Sequence, residues 1–161
     1  MAKKGTKKIM LKILFICHGN ICRSPMAEFV MKDLVQKAGL SHQIQVDSAA
    51  TSSEEIGNPI HYGTRRKLQE KGIPFDDHRA RRMTKRDYET YDLLIGMETM
   101  NIRNMLRITQ GDPLHKISRI LDHTPHPRDI DDPWYTGNFD ITYEQIREGC
   151  EALLQKLSAA E

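Results

Sequence analysis

Apolar residues along the chain follow strand-like and helix-like patterns in turn. Residues 13–16 form a short apolar run that is typical of a buried strand, and residues 44–49 alternate between apolar and polar side chains. Between them, apolar residues at helical spacing predict a helix over residues 24–38. Because Ser-Pro favours a helix start, Ser24 is its expected N-cap.

The same alternation continues towards the C-terminus. Further strands are predicted at residues 92–97 and 116–121, and further helices at residues 58–71, at residues 98–108 and from Asp140, as N-cap, to near the end of the chain. Strands that alternate with helices are typical of βαβ units with right-handed crossovers. We therefore expect a three-layer α/β/α fold built on a four-stranded parallel sheet.

The segment between the first strand and the first helix has the features of an anion site. Cys17 ends the strand, and Arg23 follows after five intervening residues. Backbone N–H groups at a helix N-terminus lack intrahelical partners and favour anions, and Gly19 and Asn20 tolerate the left-handed conformations that turn a loop inward. A guanidinium matches two phosphate oxygens, and a thiol beside a cation at a helix start loses its proton readily. The pattern predicts a phosphate loop at the C-terminal end of the first strand, with a thiolate facing the bound anion.

Composition narrows the class of protein. The chain has 161 residues, a length typical of one domain, and we interpret residues 10–161 as that domain and the basic residues 1–9 as a flexible leader or an expression remnant. A net charge of +2 is too small to indicate a nucleic-acid or membrane partner. Three cysteines suit a reducing cytoplasm and a catalytic thiol, and no cysteine and histidine set has zinc-site spacing. We expect neither metal nor cofactor.

The loop sequence points to one family. Cys17 and Arg23 form a Cys-x5-Arg pattern, and the fuller string Cys-x-Gly-Asn-x-Cys-Arg-Ser-Pro near the N-terminus resembles the low-molecular-weight protein tyrosine phosphatases. The resemblance covers residues 10 to about 158 and implies the same fold. It also implies hydrolysis of phosphotyrosine, in proteins or small aryl phosphates, through a phosphocysteine on Cys17. The phosphate, or a sulfate-type anion, would be held by the loop His18, Gly19, Asn20, Ile21, Cys22, Arg23 and Ser24.

Phosphate ester cleavage also needs a proton for the leaving phenolate. Asp132, which precedes Pro133, matches the family's general acid and base, although the neighbouring Asp131 is an alternative by sequence alone. Trp134 and Tyr135 resemble the aromatic wall that flanks the substrate ring in this family. The alternative is that these two aromatic side chains are buried in the core.

The resemblance further implies residues that support the loop. It suggests that the hydroxyl of Ser24 contacts the thiolate of Cys17, and that Ser48 and His78 hydrogen-bond Asn20. The alternatives are a strand-end hydroxyl bonded to the backbone for Ser48 and a surface histidine for His78.

Three further positions concern the mouth and the redox chemistry of the site. His18 replaces a residue that is often leucine in the family, and Glu54 lies where an aromatic side chain often completes the substrate wall. Negative charge is therefore expected near the entrance. Cys22 matches a partner that forms a reversible disulfide with Cys17 in the family, and the alternative is a small, well-packed buried residue.

Three other functions compete with phosphotyrosine hydrolysis. Arginine phosphatases look similar but tend to carry threonine at the position of Ile21 and lack the aromatic pair Trp134 and Tyr135. Arsenate reductases on the same fold need two more cysteines near residues 80–95, where this chain has none. A phosphate-binding module without turnover would not need a nucleophile, an arginine and an acid together.

Overall fold

The computed structural model describes residues 10–159, so the predicted leader, residues 1–9, lies outside the described residues. The described part contains strands β1 (Leu11–Cys17), β2 (Ile44–Ala50), β3 (Leu93–Gly96) and β4 (Ile117–Arg119). Its helices are α1 (Arg23–Lys37), α2 (Tyr62–Glu70), α3 (Lys85–Thr90), α4 (Thr99–Thr109), α5 (Pro133–Thr136) and α6 (Phe139–Ala159), with a 3-10 turn at Ile120–His123. Across these residues, every helix is too short or too polar to span a bilayer.

The strands form one parallel sheet in the order β2-β1-β3-β4, which confirms the predicted four-stranded parallel sheet. Cys17 at the end of β1 pairs in register with Ala50 at the end of β2, and Gly96 ends β3 opposite Arg119 of β4. The carboxyl ends of all four strands therefore meet at one edge. In open α/β sheets this is the edge at which ligands bind.

The two faces of β1 show why the fold has three layers. Ile13 and Phe15 point to one face and join a core cluster with α1 and α6, whereas Leu14 and Ile16 point to the other and pack with α3 and α4. All four side chains are fully buried. A strand covered on both faces reads as a continuous apolar run, as this one does.

The start of α1 differs from the prediction. The helix begins at Arg23 with Cys22 at the N-cap, and no side chain caps it, so Ser24 is not the N-cap but the second helical residue. Asn20 adopts a left-handed φ of 60°, which turns the loop towards the helix before Ser24 is reached. The hydroxyl of Ser24 is thereby free to contact another group.

Three other boundaries were also predicted wrongly. α2 begins at Tyr62 with His61 as its N-cap, because Pro59 forms an isolated antiparallel bridge with Arg79 instead of opening a helix. The fourth strand ends at Arg119, where the chain turns into the 3-10 helix. At α6, Asn138 accepts a hydrogen bond from the N–H of Ile141, and the predicted cap Asp140 instead pairs with Lys67.

Close packing of α6 on the 3-10 turn gives a stability prediction. A Cβ atom added at Gly149 would lie 2.5 Å from Cγ1 of Ile120. We expect Gly149→Ala to lower the free energy of unfolding by about 1–3 kcal/mol through overpacking, although alanine in a helix is otherwise favoured by about 1 kcal/mol. Urea unfolding measures the difference. Gln155→Ala, at an exposed position of α6, is the control and should change stability by less than about 0.5 kcal/mol. Wild-type stability of Gly149→Ala would contradict the packing argument.

Candidate active site

The Cys17 sulfur lies at the end of β1 and receives several hydrogen-bond donors from the next seven residues. The backbone N–H groups of Asn20 and Ser24 lie 3.3 and 3.4 Å from Sγ, and the Ser24 hydroxyl lies 3.0 Å away. Ser24 Oγ also accepts a hydrogen bond from Nδ2 of Asn20 at 2.8 Å, which leaves its proton free to point at the sulfur. Three hydrogen-bond donors therefore surround this one sulfur atom.

Asn20 is the residue that ties this loop to the rest of the site. It is fully buried, and its Nδ2 also donates to Ser48 Oγ at 3.0 Å. Its Oδ1 accepts from the backbone N–H of Arg81 at 3.2 Å, which fixes the orientation of the amide. Nε2 of His78 lies 2.9 Å from the same Oδ1, so this nitrogen carries the proton. Burial lowers the pKa of His78 and so disfavours the charged form of its ring.

Glu28 of α1 extends this network, and sequence reasoning missed it. Its buried carboxylate accepts hydrogen bonds from Ser48 Oγ and Lys32 Nζ, both at 2.6 Å, and lies 3.6 Å from Nδ1 of His78. Because Ser48 donates to Glu28, its lone pair is available to Asn20. The signal in the sequence was an acidic residue four positions after Ser24, on the buried side of a helix.

Arg23 is almost fully buried at the floor of the site. Its Nη1 donates to the carbonyl of Ile130 at 2.9 Å, and its Nη2 donates to Glu98 at 2.5 Å and to Asp132 at 3.3 Å. A guanidinium has five N–H donors, and these three contacts use three of them. The Nε–H and the second N–H of Nη1 have no protein acceptor among the described residues and are available to an anion.

Glu98 is the second residue that sequence reasoning missed. It lies just beyond the end of β3, where one carboxylate oxygen pairs with Arg23. Its backbone N–H donates to Oδ1 of Asn101 at 3.1 Å, and its carbonyl accepts from the N–H of Asn101 at 2.9 Å, so Glu98 is tied to the first turn of α4. In open α/β sheets, ligands bind at the carboxyl ends of the strands. Because β3 neighbours β1, the residues that follow β3 in the sequence could have been proposed as site residues.

The loop itself retains unused backbone donors. Within residues 10–159, the N–H groups of Gly19, Ile21, Cys22 and Arg23 donate to no protein acceptor. Backbone donors of this kind, gathered at a helix start, form the sort of concavity that binds anions. In contrast, the carbonyls of His18 and Ile21 are used within the protein: they accept from the backbone N–H groups of Ser52 at 3.1 Å and His61 at 2.8 Å.

The two candidate acids, Asp132 and Asp131, have different surroundings in the structure. Asp132 lines the cavity above Cys17, where its Oδ2 lies 3.3 Å from Nη2 of Arg23 and its Oδ1 accepts from the N–H of Trp134 at 3.0 Å. Asp131 is exposed and does not line that cavity, and its own N–H donates to Gln145. The structure thus brings Asp132, and not its neighbour, to the sulfur and the guanidinium.

The cavity at this edge has a volume of about 450 Å³. Trp134 and Tyr135 are 59% and 85% exposed, so the alternative that they belong to the core is wrong. In the same lining, Nε2 of His18 lies 3.1 Å from a Glu54 oxygen. The cavity is lined by Cys17, His18, Gly19, Ile21, Cys22, Arg23, Glu54, Glu55, Glu98, Met100, Asn101, Asp132, Trp134 and Tyr135.

Comparison with known proteins identifies this architecture. The model of a family described as low molecular weight phosphotyrosine protein phosphatase matches residues 12–161. The chain belongs to this family. Its membership agrees with the resemblance found in the loop sequence and accounts for the parallel sheet with the cysteine at the end of its first strand.

Curated relatives of this phosphatase come from bacteria and animals. The low molecular weight protein-tyrosine-phosphatase YfkJ of Bacillus subtilis is 41% identical over 150 residues, which cover 92% of this chain and 96% of the relative. The human low molecular weight phosphotyrosine protein phosphatase is 38% identical over 161 residues, covering 97% of this chain and 99% of the relative. Both alignments run nearly end to end, so the similarity extends well beyond the loop.

Solved structures agree at the level of the backbone. The crystal structure of YfkJ from Bacillus subtilis superposes with a TM-score of 0.91 at 40% identity and covers 94% of this chain and 97% of that chain. The crystal structure of DARP, a drosophila arginine phosphatase, gives a TM-score of 0.83 at 30% identity and covers 94% and 100%. The fold is therefore shared by proteins that are named for two different substrates.

The remaining thiols of this phosphatase have different surroundings. Burial, together with the negative charge of Cys17, raises the pKa of Cys22 to about 12, so Cys22 remains a thiol at neutral pH. Burial also raises the pKa of Cys150, which lies in the core against α1. All three cysteines are unpaired thiols. Among the described residues, no group of three histidine, cysteine or acidic side chains is arranged to hold a metal ion.

Proposed function

We propose that the chain hydrolyses phosphotyrosine through a phosphocysteine intermediate on Cys17. The observation that carries the proposal is the convergence of three groups on one cavity: the hydrogen-bonded Cys17 sulfur, the Arg23 guanidinium and the Asp132 carboxyl. Family membership supports the same reaction. Each group meets one need of phosphoryl transfer, namely a nucleophile, fixed donors for the phosphoryl oxygens and a proton for the leaving group.

The first step transfers the phosphoryl group to sulfur. The Cys17 thiolate attacks phosphorus, so an S–P bond forms while the P–O bond to the tyrosine ring breaks. The protonated Asp132 carboxyl gives its proton to the departing phenolate, and tyrosine leaves. Arg23 and the unused loop N–H groups stabilise the charge on the three equatorial oxygens because they are already in place before the reaction.

The second step releases phosphate. A water molecule attacks the phosphorus of phosphocysteine, and the Asp132 carboxylate removes a proton from that water as the P–O bond forms. The S–P bond breaks, and its electron pair returns to Cys17 as a thiolate. The Ser24 hydroxyl, 3.0 Å from Sγ, stabilises this leaving thiolate by hydrogen bonding.

The side walls favour an aryl phosphate. Trp134 and Tyr135 are exposed at the cavity and offer flat surfaces to a phenyl ring. A phosphoserine has no aryl ring to lie against these two side chains, so we expect it to be a poorer substrate. Phosphoarginine is the main competitor, since one solved relative of this fold is an arginine phosphatase.

Peptides of one sequence that carry phosphotyrosine, phosphoarginine or phosphoserine test the assignment through release of inorganic phosphate. Faster release from phosphoarginine would overturn it.

The proposal extends to redox state and location. We assign to Cys22 the role of resolving thiol: a peroxide would oxidise Cys17 to a sulfenic acid, and attack by Cys22 would form the disulfide and release water. Its place in the same loop and cavity supports this role. Its raised pKa makes this resolution slow near neutral pH, because the thiolate is the reactive form. Since catalysis needs a reduced Cys17, we propose a reducing compartment such as the cytoplasm.

Charge at the mouth gives a prediction about substrate sequence. Glu54 lies on the rim and pairs with His18, so its negative charge is uncompensated whenever that histidine is neutral. We expect Glu54→Lys to raise kcat/KM several-fold for phosphopeptides with acidic flanks at low salt, because one exposed ion pair contributes roughly 0.2–1 kcal/mol. Small aryl phosphates should be nearly unaffected. Steady-state kinetics on matched acidic and basic peptides measures the effect.

A control variant separates the local effect from net charge. Glu89→Lys makes the same change in net charge at an exposed position on α3, which does not line the cavity. It should leave the ratio of acidic to basic peptides unchanged, and the Glu54→Lys effect should weaken as salt rises, since screening acts over about 10 Å at 0.1 M. Equal ratios in wild type and Glu54→Lys at low salt would contradict the prediction.

A further inference from the structure

Three aromatic rings beside the cavity join segments that are distant in sequence. The ring of His61 stacks on Phe139, with centroids 5.4 Å apart and an interplanar angle of 18°. On another side it meets Trp134 edge to face, at 5.8 Å and 72°. His61 thus links the start of α2, the start of α6 and the aromatic wall of the cavity.

Hydrogen bonds hold His61 in place. Its backbone N–H donates to the carbonyl of Ile21 in the phosphate loop at 2.8 Å. Its Nδ1 accepts from the N–H of Gly63 at 2.9 Å, so it caps α2, and this contact requires the tautomer with the proton on Nε2. Both bonds fix the ring relative to the loop that surrounds Cys17.

Phe139 supports the ring from below. It packs against the loop residues Ile21 and Cys22. A Cβ atom on Gly63 would lie only 2.3 Å from Cζ of Phe139, so the absence of a side chain at Gly63 is what allows this approach. The stack of His61 on Phe139 is therefore seated on the phosphate loop itself.

Trp134, in contrast, has little support of its own. Its side chain is 59% exposed, and His61 provides the one ring-to-ring contact that it makes within the described residues. Its backbone N–H donates to Oδ1 of Asp132 at 3.0 Å, so the backbone at Trp134 is held although its ring is exposed. The His61 ring is therefore the aromatic support of this part of the substrate wall.

We propose that His61 is a positioning residue that holds Trp134 in place at the cavity wall. The inference rests on the proposed function, because it assigns the wall to binding of the substrate ring. Preorganised groups bind a substrate without the loss of freedom that a mobile side chain would suffer on binding. Loss of the His61 ring should release Trp134 and weaken binding of the aryl group, while binding of the phosphate group itself persists.

Two substitutions distinguish the effect of the His61 ring from the effect of its hydrogen bond that caps α2. His61→Asn keeps a side-chain oxygen that caps a helix but removes the ring, whereas His61→Phe keeps a ring but removes the acceptor for Gly63. We expect His61→Asn to raise KM for a phosphotyrosine peptide by roughly 2- to 10-fold, the range of one aromatic pair. The inhibition constant of inorganic phosphate should change by less than about twofold, since phosphate does not reach the wall. His61→Phe should retain KM near the wild-type value.

Fluorescence tests the same idea without turnover. Trp134 is the single tryptophan of the chain, so its time-resolved anisotropy reports the motion of this one side chain. We expect fast local depolarisation to increase in His61→Asn and to remain at the wild-type level in His61→Phe. Thermal melting checks that each variant is folded. If His61→Asn does not fold, Phe139→Leu removes the ring beneath His61 and should give the same increase.

Each result supports or overturns the inference. Unchanged anisotropy and unchanged KM in a folded His61→Asn variant would overturn it, as would equal losses of aryl phosphate and inorganic phosphate binding, which indicate general damage to the loop. Failure of the proposed function would look different. Wild-type protein would then release no phosphate from phosphotyrosine, whereas the anisotropy of Trp134 would still respond to loss of the His61 ring.

Discussion

Cys17→Ser is expected to abolish turnover while phosphate binding survives. If Cys17 is the nucleophile that we propose, its loss removes the phosphocysteine route, and the rate should fall by at least roughly 10⁴-fold, as for other enzymes without their nucleophile. The loop N–H groups and Arg23 remain, so inorganic phosphate should still bind. Serine is neutral at this position and repels the anion less than a thiolate does. Phosphate release assays measure the first effect, and calorimetry with inorganic phosphate measures the second.

Cys150→Ser provides the matched control for Cys17→Ser. It makes the same exchange of sulfur for oxygen at a fully buried position that does not line the cavity. Its stability is expected to fall, but turnover per folded molecule should remain. Near wild-type turnover of Cys17→Ser would exclude Cys17 as the nucleophile, and loss of phosphate binding would show that the loop had collapsed.

Asp132→Asn is expected to slow the reaction most for substrates whose leaving group must be protonated as it departs. The tyrosine phenolate is a poor leaving group, so its release should slow by roughly 10²–10⁴-fold. A p-nitrophenolate leaves without a proton and should suffer less in the first step. Asparagine has the same shape and keeps an oxygen for the N–H of Trp134, so the fold around the acid should persist. Single-turnover kinetics with both substrates isolates this step.

Asp131→Asn is the matched control for the acid. Asp131 is the neighbouring residue, but it is exposed and lies outside the cavity. The same substitution there should leave the rate within about twofold of wild type. Equal losses for both leaving groups in Asp132→Asn would argue against a general acid, and a larger loss in Asp131→Asn would transfer the role to that residue.

The layered fold could be predicted because its signals are local. Residues 13–16 are apolar without interruption, as a strand covered on both faces must be, and the alternation of strands and helices leaves few arrangements other than a parallel sheet. The loop from Cys17 to Arg23 was recognisable because an anion site built on one strand end and one helix start needs its residues close together in sequence. Element boundaries were less accurate, since caps depend on contacts such as the one between Ser24 and Cys17.

The sequence by itself predicted the parallel sheet and the loop from Cys17 to Arg23. It also limited the candidates for the general acid to Asp131 and Asp132. Tertiary structure decided which aspartate faces Arg23, because adjacent side chains point in different directions and only the folded loop sets which one enters the cavity. It also brought Glu28 and Glu98 to the site from positions without any motif. His61 likewise meets Trp134, which is far from it in the sequence. Such pairs leave no local pattern, since their partners are chosen by packing between elements and not by spacing along the chain.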